Sequence, residues 1–482
     1  MCNKGNVKNK IILFMLYCIF AISVLRYYLS FGEGLSRTSL IFTVISAFMV
    51  VFLLISYKEN IDNLNRNFLR ISHVFAAGYV VVHFFAYASY LFTDVDFIIG
   101  SNFVSSKIIN EAAINSLVCL VAFVIGYVLT NRKGWSASNI DCSYINYDKF
   151  ALFFIVIFYT SVDKRYFQGG YGEILNNEGG LSVISVLSQQ LIIASFVATS
   201  ISKALSNNNL SIKEYVKSYS LIYYLSVMIY MFLVASSGDR GPLIQLAMCY
   251  FSTFFIINKK KFTLAKAIPL MIVAVFALNF IGVYRENSGG VNSGNMMEAN
   301  SAMSERLSGG NILFSSTMEL SNVVRSYNVI YEETKTHGTI NGIGFIDQLL
   351  GFFPGLRPYI VYPIFEYDKG KREIDSNYLS TRLLSSDHGM GTSCCADIFY
   401  NFGFWGTVIV FCFFGMFTKK MDIELYSRKH NIIAYAFAIN YLMLAVYLGR
   451  GKLLSPLNIS IYSFFLIYLS ILLSKNKKTN GC

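Results

Sequence analysis

Apolar runs of about twenty residues recur along most of the chain, and each matches the length of helix that crosses the hydrocarbon of a bilayer. A helix also satisfies its own backbone hydrogen bonds, which lipid cannot do. The runs lie near 11–30, 38–57, 71–92, 112–130, 149–161, 182–202, 218–236, 242–257, 264–283, 397–417, 431–448 and 454–473. We therefore predict an all-α, polytopic transmembrane helical bundle with about twelve spans. The fifth run is the shortest of the set.

The composition agrees with a membrane protein. Of the 482 residues, 54% are hydrophobic and only 14% are charged, whereas soluble proteins average about 25% charged residues. The net charge of +12 would suit nucleic acid if it lay on one face of a domain. Here the basic residues occupy short loops between apolar runs, so no nucleic-acid partner is predicted.

The distribution of Lys and Arg predicts the orientation. Alternate loops are rich in these residues, including the N-terminal segment, 258–266 and 475–478, and such loops stay in the cytoplasm. Both termini are then cytoplasmic. We divide the chain into an N-terminal bundle of about nine spans (1–284), a large extracytoplasmic loop containing short helices (285–396) and about three C-terminal spans (397–482).

Within the large loop, amphipathic stretches near 311–331 and 341–353 predict short helices on the membrane surface that cap a cavity. The apolar run 345–363 contains two internal prolines and is predicted to be a surface or re-entrant helix rather than a span.

A charged hairpin separates two strongly apolar runs. It reads Ser236-Ser-Gly-Asp-Arg-Gly-Pro242. Proline suits the first position of a helix, and the free N–H groups at a helix start favour an anion. Arg240 adds a fork that binds phosphate oxygens in pairs, and Asp239 would orient it. The alternative is an interfacial arginine that reaches lipid headgroups or pairs with Asp239.

Two further basic positions are predicted at the same outer level. Arg285 ends the ninth apolar run, and Arg450 and Lys452 lie in the turn Leu448-Gly-Arg-Gly-Lys452. Like charges at one level repel unless an anion lies among them, so these arginines favour an anionic ligand such as pyrophosphate. Ordinary helix-end anchors in contact with lipid headgroups remain the alternative.

A histidine and an aspartate lie where the large loop returns to the membrane. His388 is one of five histidines, and Asp397 begins the segment Asp-Ile-Phe-Tyr-Asn-Phe-Gly403. Either group could take a proton from a sugar hydroxyl. The alternative is a glycine-rich turn followed by a carboxylate that a helix start favours.

No metal site or cofactor is predicted. The nine cysteines show neither CxxC nor Cys/His ligand spacing, and no Walker A motif is present. Adjacent Cys394 and Cys395 leave a disulfide open as an alternative to two free thiols.

The Ser-Gly-Asp-Arg-Gly-Pro hairpin, Tyr284-Arg285, the long outer loop and the Asp397–Gly406 segment together resemble the Wzy-type O-antigen or oligosaccharide repeat-unit polymerases. The resemblance implies a membrane glycosyltransferase that uses an undecaprenyl-pyrophosphate-linked glycan as donor and another as acceptor, at the outer face of the bacterial cytoplasmic membrane. It implies Arg240 and Arg285 on the pyrophosphate, and His388 or Asp397 near the acceptor.

The same resemblance admits a chain-length regulator as a partner and an O-antigen, capsular or exopolysaccharide product. Two alternatives stay open. O-antigen ligases share the plan of many helices and one large loop, and a flippase or exporter of lipid-linked glycan is the non-enzymatic possibility. A flippase should carry charges within its spans and short loops throughout, whereas this sequence has one dominant loop.

Overall fold

The computed structural model describes residues 4–29, 34–59, 64, 67–93, 99, 102–130, 147–168, 180–206, 210–237, 241–258, 262–263, 265–266, 269, 321–353, 356–364, 373–386, 389–426 and 431–479. Regular structure within these ranges is helical throughout. The prediction of an all-α chain is confirmed for this part of the sequence.

Nine α-helices are described before residue 258. They are α1 (Lys4–Tyr28), α2 (Arg37–Ser56), α3 (Ile71–Thr93), α4 (Ser106–Leu129), α5 (Asp148–Ser161), α6 (Gly180–Ser206), α7 (Ile212–Lys217), α8 (Leu221–Ser237) and α9 (Gly241–Ile257).

Seven more α-helices are described after residue 321. They are α10 (Val323–His337), α11 (Ile343–Leu350), α12 (Arg357–Ile364), α13 (Ser376–Leu383), α14 (Cys394–Tyr426), α15 (Ile432–Leu444) and α16 (Pro456–Thr479). The short helices α10 to α13 occupy the region predicted to be the large loop. Two of them, α11 and α12, divide the proline-containing run 345–363.

Six of the described helices are long and apolar enough to cross a membrane. They are Val7–Tyr28, Arg37–Ser56, Ile71–Phe92, Ser106–Leu129, Leu181–Ala204 and Cys394–Tyr426, and shorter apolar helices are Leu221–Ser237, Gly241–Ile257, Ile433–Leu444 and Pro456–Leu472. Each predicted apolar run except 264–283 coincides with a described helix. That run lies almost wholly outside the described residues, so the count of twelve spans stays a prediction.

The chain forms two compact units that interleave along the sequence. The first comprises Met1–Lys133, Asn311–Asp422 and Ala445–Ser455, and the second comprises Gly134–Gly310, Ile423–Leu444 and Pro456–Cys482. The three-part division predicted from loop charges concerns topology across a membrane, and it stays a prediction.

Helix α4 forms the centre of the first unit, and most of its apolar residues are buried. It packs against α1 and α2 and crosses α14 with the two backbones in contact. A Cβ atom at Gly126 would overlap the carbonyl oxygen of Cys412, and one at Gly415 would overlap that of Phe123. Small residues at such crossings let membrane helices approach closely.

Helix α14 bends at Gly403, whose backbone angles (φ 67°, ψ −167°) are not helical. The bend divides α14 into segments 394–402 and 404–426. The second segment alone is about 34 Å long, enough to cross hydrocarbon. The predicted tenth span, 397–417, therefore contains a bend. Glycine permits this bend because it adopts a positive φ that other residues avoid.

Buried charges fix the end of α14 that lies far from this bend. The Asp422 carboxylate accepts hydrogen bonds from the Ile71 backbone N–H (2.7 Å) and the Ser72 hydroxyl (2.6 Å) at the start of α3. One turn away, Lys419 pairs with Glu59, and both side chains are 1% exposed. These contacts join α14 to the start of α3 and the end of α2.

The second unit is built around α6, which packs along α5, α9 and α16. Helix α5 coincides with the short fifth run, and its 14 residues measure only about 21 Å. Tyrosines join α7 to α9: the Tyr215 hydroxyl donates to the Tyr250 carbonyl oxygen at 2.7 Å.

Candidate functional site

The turn that follows α15 lies beside the middle of α3. Gly449 packs against Tyr79 and Val82, and a Cβ atom at Gly78 would lie 2.7 Å from the Val446 carbonyl oxygen. Helix α15 has 13 residues, about 20 Å, whereas hydrocarbon is about 30 Å thick. These glycines let the turn approach α3 closely.

Arg450 and Lys452 follow Gly449 in the same turn. The sequence predicts this turn at the outer surface, and its depth in the membrane stays a prediction. The structure shows that Gly449 lies beside the middle of α3 rather than beside either of its ends. Ionisable side chains close to the middle of a membrane helix usually face a polar interior and serve function.

Lys452 joins this turn to the loop helices. Its Nζ atom lies 2.8 Å from Asp375 Oδ2, and the two side chains are 14% and 22% exposed. Asp375 also caps α13, because its Oδ1 atom accepts a hydrogen bond from the Asn377 N–H at 2.8 Å. The ion pair therefore fixes the start of α13 beside the basic turn.

The residue after Asp375 makes the next contact. The Ser376 hydroxyl donates to Asp397 Oδ1 at 2.7 Å, and the Gln348 side-chain amide donates to Asp397 Oδ2 at 2.8 Å. Asp397 is 1% exposed. One carboxylate at the start of α14 thus holds two separate loop helices, α11 and α13.

The rest of the Asp397–Gly403 segment also binds the loop. The Tyr400 hydroxyl donates to the Glu373 carbonyl oxygen at 2.6 Å. The Gly342 N–H donates to the Asn401 carbonyl oxygen at 3.0 Å, and the Phe345 N–H donates to Asn401 Oδ1 at 3.1 Å. The segment whose residue pattern suggested a site is therefore the surface on which the loop helices dock.

We call Asp397, Ser376, Gln348, Asp375 and Lys452 the Asp397 cluster. It places two carboxylates and an ammonium group together, next to the turn that carries Arg450. A cluster of this kind can hold an anion at its basic edge. It can accept a proton at Asp397 once Ser376 or Gln348 turns away, since hydrogen bonds at such sites often rearrange when substrate binds.

Four of the predicted site residues, Asp239, Arg240, Arg285 and His388, lie outside the described residues. Their neighbours are described in part. Helix α9 begins at Gly241 with Pro242 in its first turn, as the sequence predicts. Of the predicted site residues, the structure thus describes Asp397 and Arg450.

Residues on both sides of 387–388 form hydrogen bonds with Thr381 of α13. The Thr381 carbonyl oxygen accepts from the Ser386 N–H, and the Thr381 hydroxyl oxygen accepts from the Met390 N–H, both at 3.1 Å. Helix α13 therefore holds the described residues on both sides of 387–388, the positions that include His388.

A second carboxylate was missed in the sequence. Glu111 of α4 lies 3.2 Å from Lys335 Nζ and 3.3 Å from the Tyr331 hydroxyl, and the Tyr331 and Tyr27 hydroxyl oxygens lie 2.7 Å apart. Burial raises the pKa of Tyr331 well above its ordinary value, so it remains a donor. The signal available in the sequence was the i, i+4 spacing of Tyr331 and Lys335, which puts both on one helix face.

Cys394 and Cys395 are both free, so the disulfide left open by the sequence is absent. Instead, the Cys395 sulfur lies 3.2 Å from the sulfur of Cys119 on α4. Among the described residues, no group of three His, Cys, Asp or Glu side chains could hold a metal ion.

Comparison with known protein families gives one result. The sequence model of a family described as O-antigen polysaccharide polymerase Wzy matches residues 11–479, nearly the whole chain. No curated protein and no solved structure matches.

Proposed function

The chain belongs to the O-antigen polysaccharide polymerase family Wzy, and we propose that it joins undecaprenyl-pyrophosphate-linked oligosaccharide repeat units into a longer chain. Its family and its apolar helices indicate an integral membrane protein. The reaction takes place at the outer face of the bacterial cytoplasmic membrane, with both termini in the cytoplasm. The product is O-antigen, capsular polysaccharide or exopolysaccharide, according to the host.

The observation that best supports this proposal is the Asp397 cluster and its neighbour Arg450. A buried carboxylate, an ion pair and a basic turn lie together, and Gly449 of that turn packs against the middle of α3. Burying charges in a membrane protein costs free energy, and such charges usually mark a substrate path or a reacting site. Here they also hold the helices of the large loop, which would enclose a glycan and exclude water from the reaction.

In this reaction the bond between the donor's first sugar and its pyrophosphate breaks, while an acceptor hydroxyl forms the new glycosidic bond. The acceptor proton leaves, and undecaprenyl pyrophosphate departs as an anion. Charge develops on that leaving group, so fixed cations there lower the barrier most. The broken bond drives the reaction, so the mechanism uses no cofactor.

We assign Arg240 and Arg285 to the leaving pyrophosphate, with Asp239 orienting Arg240 and Arg450 contributing a further cation. His388 or Asp397 removes the acceptor proton. For Asp397, this role requires that one of its two hydrogen-bond donors, Ser376 or Gln348, releases it.

A deletion strain tests the class of reaction. Loss of a polymerase leaves single repeat units on the cell surface in place of a ladder of chain lengths. Accumulated lipid-linked polymer would instead identify a ligase, and repeat units retained at the inner face would identify a flippase. Either of the last two outcomes overturns the proposal.

Complementation of that strain tests the arginines. Arg240→Ala and Arg285→Ala should each abolish chain extension while protein abundance in the membrane stays normal. Arg165→Ala is the matched control, since it removes an arginine that is 63% exposed and pairs with Asp163 in a short predicted outer loop outside the proposed site. A normal ladder in Arg240→Ala or Arg285→Ala removes that residue from the site.

A further inference from the structure

A second polar cluster lies in the first unit, and the mechanism above does not use it. We call Glu111, Lys335, Tyr331 and Tyr27 the Glu111 cluster. Glu111 contacts Lys335 Nζ at 3.2 Å and the Tyr331 hydroxyl at 3.3 Å. Three elements, α1, α4 and α10, contribute its members.

Exposure within this cluster is uneven. The Glu111 side chain is 10% exposed, whereas that of Lys335 is 44% exposed. An ammonium group carries three N–H donors, and the contact with Glu111 uses one of them. The cluster therefore offers a buried acceptor, the Glu111 carboxylate, beside a solvent-accessible donor, the Lys335 ammonium group. A sugar hydroxyl can bind both, because it donates one hydrogen bond and accepts another.

Aromatic rings form the surroundings of the pair. Tyr331 stacks on Phe399 with ring centroids 4.2 Å apart, and Tyr27 stacks on Phe404 at 4.0 Å. Trp405 packs edge-on against Phe404 at 5.2 Å and is 53% exposed. Tyr331, Phe399 and Phe404 are buried, so they hold the positions of their neighbours rather than contact a ligand. The exposed ring of Trp405 presents a flat apolar face to which the C–H face of a sugar ring can pack, while the neighbouring charges bind its hydroxyls.

An anchor for lipid headgroups does not account for this arrangement. A lysine reaches headgroups through its own length and needs no carboxylate buried on a neighbouring helix. Such a carboxylate costs free energy to desolvate. Glu111 is therefore best explained by a ligand that uses both charges together.

The Glu111 cluster is connected to the proposed reaction site. Phe399, which stacks on Tyr331, lies two residues after Asp397 in the segment of α14 before the bend. Helix α10, which carries Tyr331 and Lys335, packs on α13, the helix that carries Ser376.

From these contacts we infer that the Glu111 cluster is a subsite for one sugar ring of the lipid-linked glycan. Lys335 and Glu111 bind adjacent hydroxyls, and the exposed ring of Trp405, which packs on Phe404 beside Tyr27, supports the apolar face of the sugar. This inference rests on the proposed function and gives the glycan a second point of attachment beside the reacting end.

The first test is the rate of chain extension by the purified full-length protein. The substrate is the undecaprenyl-pyrophosphate-linked repeat unit extracted from a deletion strain. Lys335→Met and Glu111→Gln should each raise the half-saturating substrate concentration about tenfold or more, as expected for loss of a charge-assisted hydrogen bond. The maximal rate should change by less than about threefold, and Lys335→Arg should restore binding.

Glu333→Gln is the matched control on the same helix. The Glu333 carboxylate lies 3.1 Å from His337 Nδ1 and is not a member of the Glu111 cluster. This variant should behave like wild type. An unchanged half-saturating concentration in both cluster variants, a loss of maximal rate alone, or an equal effect of Glu333→Gln would overturn the inference.

A second test needs no polymerisation. The chain has two tryptophans, so Trp135→Phe leaves Trp405 as the sole tryptophan fluorophore. The repeat-unit oligosaccharide, freed of lipid by mild acid, should change its emission, and Lys335→Met should abolish that change. No response in the parent variant overturns the subsite. A response in a protein that extends no chain keeps the subsite and refutes the polymerase.

Discussion

The two ends of α14 carry buried carboxylates with different partners. Asp422 accepts hydrogen bonds from two backbone N–H groups and from the Ser72 hydroxyl at the start of α3, beside the ion pair of Lys419 and Glu59. The partners of Asp397 in the described part of the chain are side chains, those of Ser376 and Gln348 on two short loop helices. Backbone partners cannot leave without unfolding the helix, whereas side chains rotate.

The two carboxylates are equally buried but have different roles. We call the Asp422 end of α14 the fixed end, because it joins membrane helices through backbone groups. We call the Asp397 end the working end, because its side-chain partners can be released. Changes at the first should reduce stability most, and changes at the second should reduce activity by more than they reduce stability. The following predictions test this difference, from the largest effect on stability to the smallest.

Asp422→Ala should cost about 3–5 kcal/mol of unfolding free energy, because it leaves the buried Ile71 and Ser72 N–H groups and the Ser72 hydroxyl without their acceptor. Thermal unfolding of the purified protein in detergent measures this, together with its abundance in the membrane. A wild-type unfolding temperature together with wild-type abundance would show that Asp422 does not hold this end of α14 in place.

Gly415→Ala should cost about 3 kcal/mol, since the new methyl group meets the Phe123 carbonyl oxygen and forces α4 and α14 apart. The same unfolding assay applies. Gly389→Ala is the control, because no atom lies within 4 Å of a Cβ there. Equal stability of the two variants would contradict the close crossing.

Gly403→Ala should cost about 2 kcal/mol, because alanine resists the backbone angles of the bend. Chain extension per folded molecule should fall further than stability does, since the bend presents Asp397 to the loop helices. An activity loss that only matches the loss of folded protein would make the bend a purely structural feature.

Lys452→Met should have the smallest effect on stability, about 1 kcal/mol, because its pair with Asp375 is partly exposed. Chain extension should nevertheless fall at least tenfold, since the start of α13 and the basic turn lose their connection. An unchanged rate of chain extension would show that the Lys452–Asp375 pair does not contribute to function at the Asp397 end of α14.

Much of the fold could be predicted because a bilayer restricts the chain to apolar helices. The helices from α1 to α4 follow their apolar runs closely, and the loop helices α10 and α11 follow amphipathic patterns. Asp397 could be selected by its place at a helix start.

Other features depend on contacts between distant segments. The position of the turn that carries Arg450 requires Gly449 to meet α3, and the pairing of Glu111 with Lys335 requires α4 to meet α10. Neither leaves a local pattern in the sequence. The bend at Gly403 was equally hidden, since glycine is common within membrane helices.

The most direct test of a working end and a fixed end is chain extension by purified Asp397→Asn protein, supplied with the lipid-linked repeat unit and measured per folded molecule. We expect an unfolding temperature close to that of wild type and a rate lower by about a hundredfold or more, as for loss of a general base. A rate near that of wild type, or one that falls only as far as the folded fraction falls, would contradict the account.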